Sequence, residues 1–519
     1  MRGGPAGQPC PDPAIRLATR PIRDNAQMAK LRSEGSAAQP APGLGRSDAG
    51  PGVGDGPLQL ETVTPLPAEV AVGAGTALFA DGVCLAPAPI RRLDVAIGDR
   101  VHPAMGWGMA EPGGRRGSGY WWGVFPIAAV GGPQRLPIEL RARLANGSEH
   151  RARAGELQLV PHRSEPELER LDPPLPGEGE GPLVAICMAT FDPDPRLFRR
   201  QIESIRAQTH GRWVCLISDD SSSPEGLAAI EAVVGGDRRF VVSSSVANAG
   251  HYRNFERALM MAPAAARYIA FSDQDDVWHP DKLASLIAGL RPGSSLVYSD
   301  MRLVGERGEV LADTYWTMRR NNYTDFASMV LANTVTGAAS LFDAGLLRRA
   351  LPFPPRHSAL FHDHWIAQIA MAVGPISYVD RPLHDYVQHG AAALGHSAAN
   401  GRGRYSGRVY ERLVAAGRNL RARGYRPAWR APYFNIYCRL VLSSEALRAR
   451  CADVLDAEQL AVLDRISDSP RGIAWMLGRS TRDLWGADET LGRERAILAG
   501  FAWRRAALLR RWERERRTA

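Results

Sequence analysis

Lysine is nearly missing from this chain: its 64 basic residues are all arginine except Lys30 and Lys282. Arginine on this scale, beside abundant alanine, glycine and proline, reads as a genome-wide coding bias. The formal charge of +9 therefore does not by itself mark a polyphosphate-binding face. There is no basic run interleaved with aromatics, and no zinc-finger, helix-turn-helix or RNP-type pattern, so nucleic acid is not the expected partner. Cysteine is sparse too. Cys10, Cys84, Cys187, Cys215, Cys438 and Cys451 form no C-x-x-C pair, and Cys187 and Cys215 sit inside apolar runs, where a thiol behaves as a small hydrophobe. That usage favours a reducing compartment. No run of 18 uncharged apolar residues occurs, and no charged-then-apolar leader opens the sequence. The expectation is a cytoplasmic protein, attached at most peripherally to the inner face of a membrane.

At 519 residues the chain is too long for one core. Residues 1–65 are rich in Gly, Pro, Ala and Ser without hydrophobic periodicity and read as disordered. Between 70 and 162 the period becomes two, clearest in Leu93–Ile97 and Ile138–Leu144, with further strands expected at Thr76–Leu85, Gly119–Ile127 and His150–Val160. Regular spacing and Gly/Pro turns predict a small antiparallel β-sandwich. Trp121 and Trp122 must then face opposite sides, one in the core and the other exposed, for sugar stacking or for an interdomain contact. An acidic, proline-rich linker spans 163–181, and residues 182–398 alternate strands and helices, which predicts an α/β domain with a mainly parallel sheet. Residues 405–519 read as helical and arginine-rich. Phe501, Leu508 and Trp512 form an apolar stripe interrupted by Arg505, a candidate for peripheral membrane association as well as for a solvated helix.

The chemistry concentrates at strand ends. Asp273-Gln274-Asp275-Asp276 follows the apolar strand Tyr268–Ser272. Carboxylates so close repel one another, and a hard divalent cation such as Mg2+ or Mn2+, bridging to phosphates, relieves that; a solvated acidic turn is the bland alternative. Ser218-Asp219-Asp220-Ser221 ends the second strand and can bond a nucleotide base and ribose, or form an ordinary Asx/Ser turn. Asn248-Ala249-Gly250 lets backbone approach a ligand. His362-Asp363-His364-Trp365 opens a helix, where Asp363 can also serve merely as a cap, and Gln388-His389-Gly390 offers a histidine to a metal shell.

Taken in order, strand–DD–S, N-A-G, D-Q-D-D, H-D-H-W and Q-H-G resemble the family 2 glycosyltransferases with the GT-A fold, most closely the bacterial subgroup that builds rhamnan and other surface polysaccharides. The resemblance implies an inverting, metal-dependent transfer of a sugar, rhamnose in the subgroup, from a nucleotide-sugar donor to a glycan or lipid-linked acceptor. It implies that Thr190, Asp219, Asp220, Asn248, Gly250 and Asp273 bind the nucleotide, and that Asp273, Asp275 and His389 bind Mg2+ or Mn2+. Asp363 is then the general base, and Asp276, Trp278, Thr336, Gly337, His362, Trp365 and Gln388 line the acceptor side or support the site. With an ordinary pKa near 4, Asp363 is a weak base that works mainly by position. Val387 departs from the arginine that similar proteins carry, which puts a diphosphate contact in doubt, and there is no Q-x-x-R-W motif of processive synthases. Two other classes compete. A nucleotidyltransferase needs a glycine-rich basic loop where this chain has Thr190-Phe191-Asp192-Pro193-Asp194; a decayed, carbohydrate-binding scaffold has no need of Asp273, Asp275 and Asp363.

Overall fold

The stretch of period two folds into two facing sheets. Its strands are β1 (Gln59–Thr62), β2 (Glu69–Ala71), β3 (Thr76–Leu85), β4 (Ile90–Ile97), β5 (Arg100–Pro103), β6 (Gly106–Met109), β7 (Tyr120–Ile127), β8 (Gln134–Leu144) and β9 (Glu149–Val160). One sheet runs β1-β3-β7-β6 and the other β2-β9-β8-β4-β5; every pairing is antiparallel except β2 with β9. This computed structural model describes residues 58–109, 119–165, 168, 180–317, 320–358, 360–389, 427–482 and 489–518, with backbone alone for 427–429 and 510–518. These residues belong to the unit Asp55–Ala519. The disorder expected of residues 1–57, and most of the expected linker, lie outside the described residues. β1 falls inside the stretch that reads as disordered: four residues are too few to show a period, but they pair with β3, Gln59 opposite Leu85.

Both tryptophans of β7 are buried, Trp121 at 4% and Trp122 at 0% exposure, contrary to the expectation that one is exposed. The reason is that the β1-β3-β7-β6 sheet is covered on both faces. Trp121 and Phe125 point into the sandwich with Leu93, Val95, Leu140 and Leu157. Trp122 and Tyr120 point the other way, into a core shared with the C-terminal helices. Trp122 packs edge-on against Tyr433 and Tyr437, and its Nε1 donates to the Tyr433 hydroxyl at 3.2 Å. Of the two roles considered for the second ring, the interdomain contact is the one it fills.

The α/β part supplies β10 (Val184–Thr190), β11 (Trp213–Asp219), β12 (Phe240–Ser244), β13 (Tyr268–Ser272), β14 (Val277–Trp278), β15 (Leu296–Gly305), β16 (Val310–Ala312), β17 (Ser340–Asp343) and β18 (Ile376–Gln388). The order is β12-β11-β10-β13-β17-β15-β18-β14, with β16 on the side of β15. β12, β11, β10 and β13 are mutually parallel, as are β15 and β18, while β17, β14 and β16 run antiparallel to their neighbours. The register sets Thr190 beside Asp219 and Asp219 beside Ser244, so the C-terminal ends of the parallel strands converge on one edge. Open parallel sheets place ligands at that edge. Helix Pro195–Arg206 starts cleanly there, with proline in its first turn and Asp194 Oδ1 accepting from the Arg196 and Leu197 amides.

Of the C-terminal helices Cys438–Cys451, Ala457–Arg465, Pro470–Ser480 and Arg493–Thr518, the first packs on β3, β7 and helix His362–Val373. Arg450 joins the parts. Its guanidinium, 2% exposed, donates to the carbonyls of Val72 and Gly75 ahead of β3, and to those of Arg349, Leu351 and Pro352 in the α/β part. All five N–H groups are thus used, with no carboxylate involved. In the last helix Ile497, Phe501 and Trp503 are the inward residues, Phe501 meeting Tyr437 edge-on at 4.7 Å. Phe501 therefore belongs to the core; the Trp512 side chain lies outside the described residues. No helix among the described residues is long and apolar enough to cross a membrane.

Candidate active site

The base of the site is built from Asp219, which ends β11, and Asp220, which follows it. Asp219 is fully buried and its carboxylate is saturated: Oδ1 accepts from the Thr190 and Ser222 hydroxyls, Oδ2 from the Ser222 amide and the Ser244 hydroxyl at 2.7 Å. Asp220 turns the other way and receives the Ala249 and Gly250 amides, each at 2.8 Å, while the Asn248 amide donates to its carbonyl. Burial raises the Asp220 pKa against those hydrogen bonds. The sequence reading gave Thr190, Asp219 and Asp220 direct contact with the nucleotide. Here the Thr190 hydroxyl and the Asp219 carboxylate bond each other, and the carboxylate also takes the Ser222 and Ser244 donors, which fixes the shape of this edge. Gly250, at φ 81°, is required where it is, since a side chain is strained in the left-handed region.

The acidic loop lies across this edge. Gln274, to which the sequence reading gave no role, pairs its amide with both backbone groups of Phe191, taking the N–H at 2.9 Å and donating to the carbonyl at 3.3 Å. It ties the loop after β13 to the loop after β10. Asp275 meets His389, Oδ2 to Nε2 at 2.8 Å, and that hydrogen bond raises the histidine pKa. Asp273 is half-buried; burial, then the charges of Asp275 and Asp363, push its carboxyl well up. Asp276 is fully buried, with Oδ1 accepting the Val387 amide at 3.1 Å and Oδ2 lying 3.8 Å from the equally buried His384. Val387 packs with Leu197 and Val304, so this position is an apolar peg and supplies no cation to a diphosphate.

Asp363 stands on the first turn of helix His362–Val373, and its orientation is set from two sides. The His364 amide donates to Oδ1 at 2.6 Å, the Gly337 amide to Oδ2 at 3.3 Å, and the Asn333 side chain adds a further bond. Burial pushes its pKa up to about 6, which corrects the expectation of an ordinary, weak carboxylate base. Gly337 has no room for a side chain: a Cβ there would come within 2.7 Å of His362 Nε2. His362 itself stacks on Phe255 at 3.6 Å and holds the helix start in place. Trp365, whose Nε1 donates to the Ala350 carbonyl at 2.9 Å, and Trp278, 2% exposed, are likewise buried supports. Thr336 precedes the turn Gly337–Ala339, and Gln388 ends β18 beside His389.

The donor set of Asp273, Asp275 and His389 suits a hard or borderline divalent cation, which would relieve the repulsion that raises Asp273 and replace the proton shared by Asp275 and His389. Among the described residues no group of three His, Cys, Asp or Glu converges on one point. A cation held here would need its shell completed by ligand phosphates and water, as Mg2+ and Mn2+ sites commonly do.

Residues 185–351 match the family model described as Glycosyl transferase family 2. The chain carries a family 2 glycosyltransferase domain. The match includes Thr190, the Asp219–Asp220 pair, the acidic loop and Gly337, while Asp363 and His389 lie beyond it. Over 131 residues the chain is 32% identical to the uncharacterized protein y4gI of Sinorhizobium fredii, a quarter of this chain (25%) and 14% of that one. It is 26% identical over 129 residues to the Escherichia coli UDP-Glc:alpha-D-GlcNAc-diphosphoundecaprenol beta-1,3-glucosyltransferase WfgD, 25% of this chain and 49% of that one. The chain spans half or less of the length of these relatives. Among solved structures, Staphylococcus aureus TarS 1-349 in complex with UDP-GlcNAc aligns at a TM-score of 0.37 and 15% identity, covering 55% of this chain and 70% of the other. The mannosyltransferase PcManGT of Pyrobaculum calidifontis, in complex with GDP-Man and Mn2+, aligns at 0.31 and 17%, covering 67% and 92%.

Proposed function

We propose that this chain transfers a sugar from a nucleoside-diphosphate donor to an acceptor hydroxyl, with inversion at the anomeric carbon and with Mg2+ or Mn2+ as cofactor. The observation that carries the reading is that the turn Gly337–Ala339, whose first amide holds Asp363, packs against β13, the strand that ends in the acidic loop. One group is suited to take a proton, and the other loop to receive a diphosphate. A divalent cation held by Asp273, Asp275 and His389 supplies neutralisation of the charge that develops on the departing diphosphate. Asp363, its two oxygens oriented by the His364 and Gly337 amides, accepts the proton of the acceptor hydroxyl as that oxygen attacks from the face opposite the leaving group. Asp220, by fixing the Ala249 and Gly250 amides, keeps the Asn248–Gly250 loop shaped for close approach of the donor.

The D-Q-D-D-x-W, H-D-H-W and Y-x-Q-H-G variants support rhamnose, from a dTDP donor, as the sugar transferred. A growing surface polysaccharide or a lipid-linked glycan on the cytoplasmic side is the proposed acceptor; the diphosphoundecaprenol in the name of one relative supports the lipid-linked form. The test is release of nucleoside diphosphate from dTDP-rhamnose and from UDP- and GDP-sugars with Mn2+. One donor is expected to be consumed, and Asp275→Asn to lower its consumption about a hundredfold or more. Undiminished release by that variant, or in EDTA, overturns the metal-dependent reading.

A further inference from the structure

Lys282 is one of two lysines in a chain otherwise supplied with arginine, and it is fully buried. It opens the helix Lys282–Gly289, six residues after the acidic loop. Its Nζ donates to the Ala338 carbonyl and lies 4.0 Å from the centroid of the Trp278 ring. Ala338 belongs to the turn Gly337–Ala339, whose first amide holds Asp363. One side chain therefore joins Trp278 and the helix that follows the acidic loop to the turn that orients the proposed base. The other groups facing it are Asp273, Asp276 and His384; the last is fully buried, and burial keeps it neutral. Arg302 and His279, on adjoining elements, are committed to Asp385. One buried feature needs a cation here. Asp276 Oδ2 has no hydrogen-bond partner among the described residues, and a buried carboxylate without compensation is strongly destabilising.

We propose that Lys282 is a positioning residue that balances the carboxylates of the acidic loop and fixes the distance from that loop to the turn holding Asp363. A compact ammonium can sit between the Trp278 ring and one carbonyl, whereas a planar guanidinium needs a wider fork of acceptors. That difference suits a lysine to this position in a sequence so biased toward arginine. The inference rests on the reading of Asp273 and Asp275 as metal–diphosphate ligands, and its test separates the two.

Mn2+ binding is measured by electron paramagnetic resonance in the presence of dTDP, for the full chain and for Lys282→Met, together with hydrogen exchange of the peptide spanning 333–339. Removing a cation beside the site is expected to tighten Mn2+ about tenfold and to speed exchange in that peptide. Loss of packing alone would not tighten metal. Unchanged or weaker Mn2+ binding by folded Lys282→Met overturns the proposal, whereas absence of binding by the unaltered chain overturns the metal reading beneath it. If Lys282→Met does not fold, the double variant Lys282→Met/Asp276→Asn, which has lost both buried charges, is expected to fold and to show the faster exchange. Normal protection of 333–339 in that variant overturns the proposal equally.

Discussion

Asp363→Asn is expected to lower sugar transfer about a thousandfold while leaving nucleotide binding intact and the folded protein more stable. The first part follows from the role: asparagine keeps the shape and loses the basic oxygen, and a positioned base is worth about 10²–10⁴ in rate. The second follows from linkage. Burial holds the folded-state pKa of Asp363 at about 6, above the ordinary value of 3.8. The folded state therefore binds the proton more tightly than the unfolded chain, and its relative advantage is lost as pH rises through 6. At pH 7 the ionised carboxylate is a cost, about 1–2 kcal/mol once solvent screening of a partly exposed group is allowed for. Asparagine removes it. The pH profile gives the third sign: transfer by the unaltered chain should fall about tenfold per unit below pH 6, because only the ionised form accepts a proton. Full turnover by Asp363→Asn, or a rate flat down to pH 5, contradicts the assignment.

Arg450→Met is expected to cost about 4 kcal/mol or more of stability, read as a lower urea midpoint, and to loosen the sandwich from the α/β part. Methionine fills a similar volume but leaves the carbonyls of Gly75, Arg349, Leu351 and Pro352 without the guanidinium donors, while that of Val72 keeps the Gly75 amide. Each buried unsatisfied group costs about 1–3 kcal/mol, less whatever relaxation recovers. Arg450→Lys, with three donors for five carbonyls, should fall between the two. A midpoint unchanged in Arg450→Met means that the parts are held by the shared apolar core around Trp122 and Tyr433 alone.

How legible these features were depends on whether the chemistry is local. β3 and β13 run over the very residues that periodicity picks out, Thr76–Leu85 and Tyr268–Ser272, because alternation or an apolar run is itself the cause of those strands. The reach of β18 past Asp380-Arg381-Pro382 has no local cause: irregular register against Asp300 and Arg302 of β15 carries the strand on to Gln388 and delivers His389 to Asp275. The acidic loop and Asp363 were legible as chemistry, since few other arrangements need such residues. What stayed hidden is which oxygens are already spent. Asp219 and Asp220 look alike in sequence, and only the fold shows the first saturated by Thr190, Ser222 and Ser244 and the second holding a loop. Burial was equally hidden: it raises Asp363, and a second covering layer put both tryptophans inside. Lys282 left one signal, its rarity.

Binding of a nucleotide sugar to the acidic loop through a divalent cation is tested most directly by thermal unfolding of the full chain against a panel of nucleotide sugars, with Mn2+ and again with EDTA. A donor at a hundredfold its dissociation constant should stabilise the fold by about 2.7 kcal/mol in Mn2+ and little in EDTA, with one sugar and nucleotide standing out. Equal shifts in Mn2+ and EDTA, or none with any donor in protein that is otherwise folded, would contradict the account.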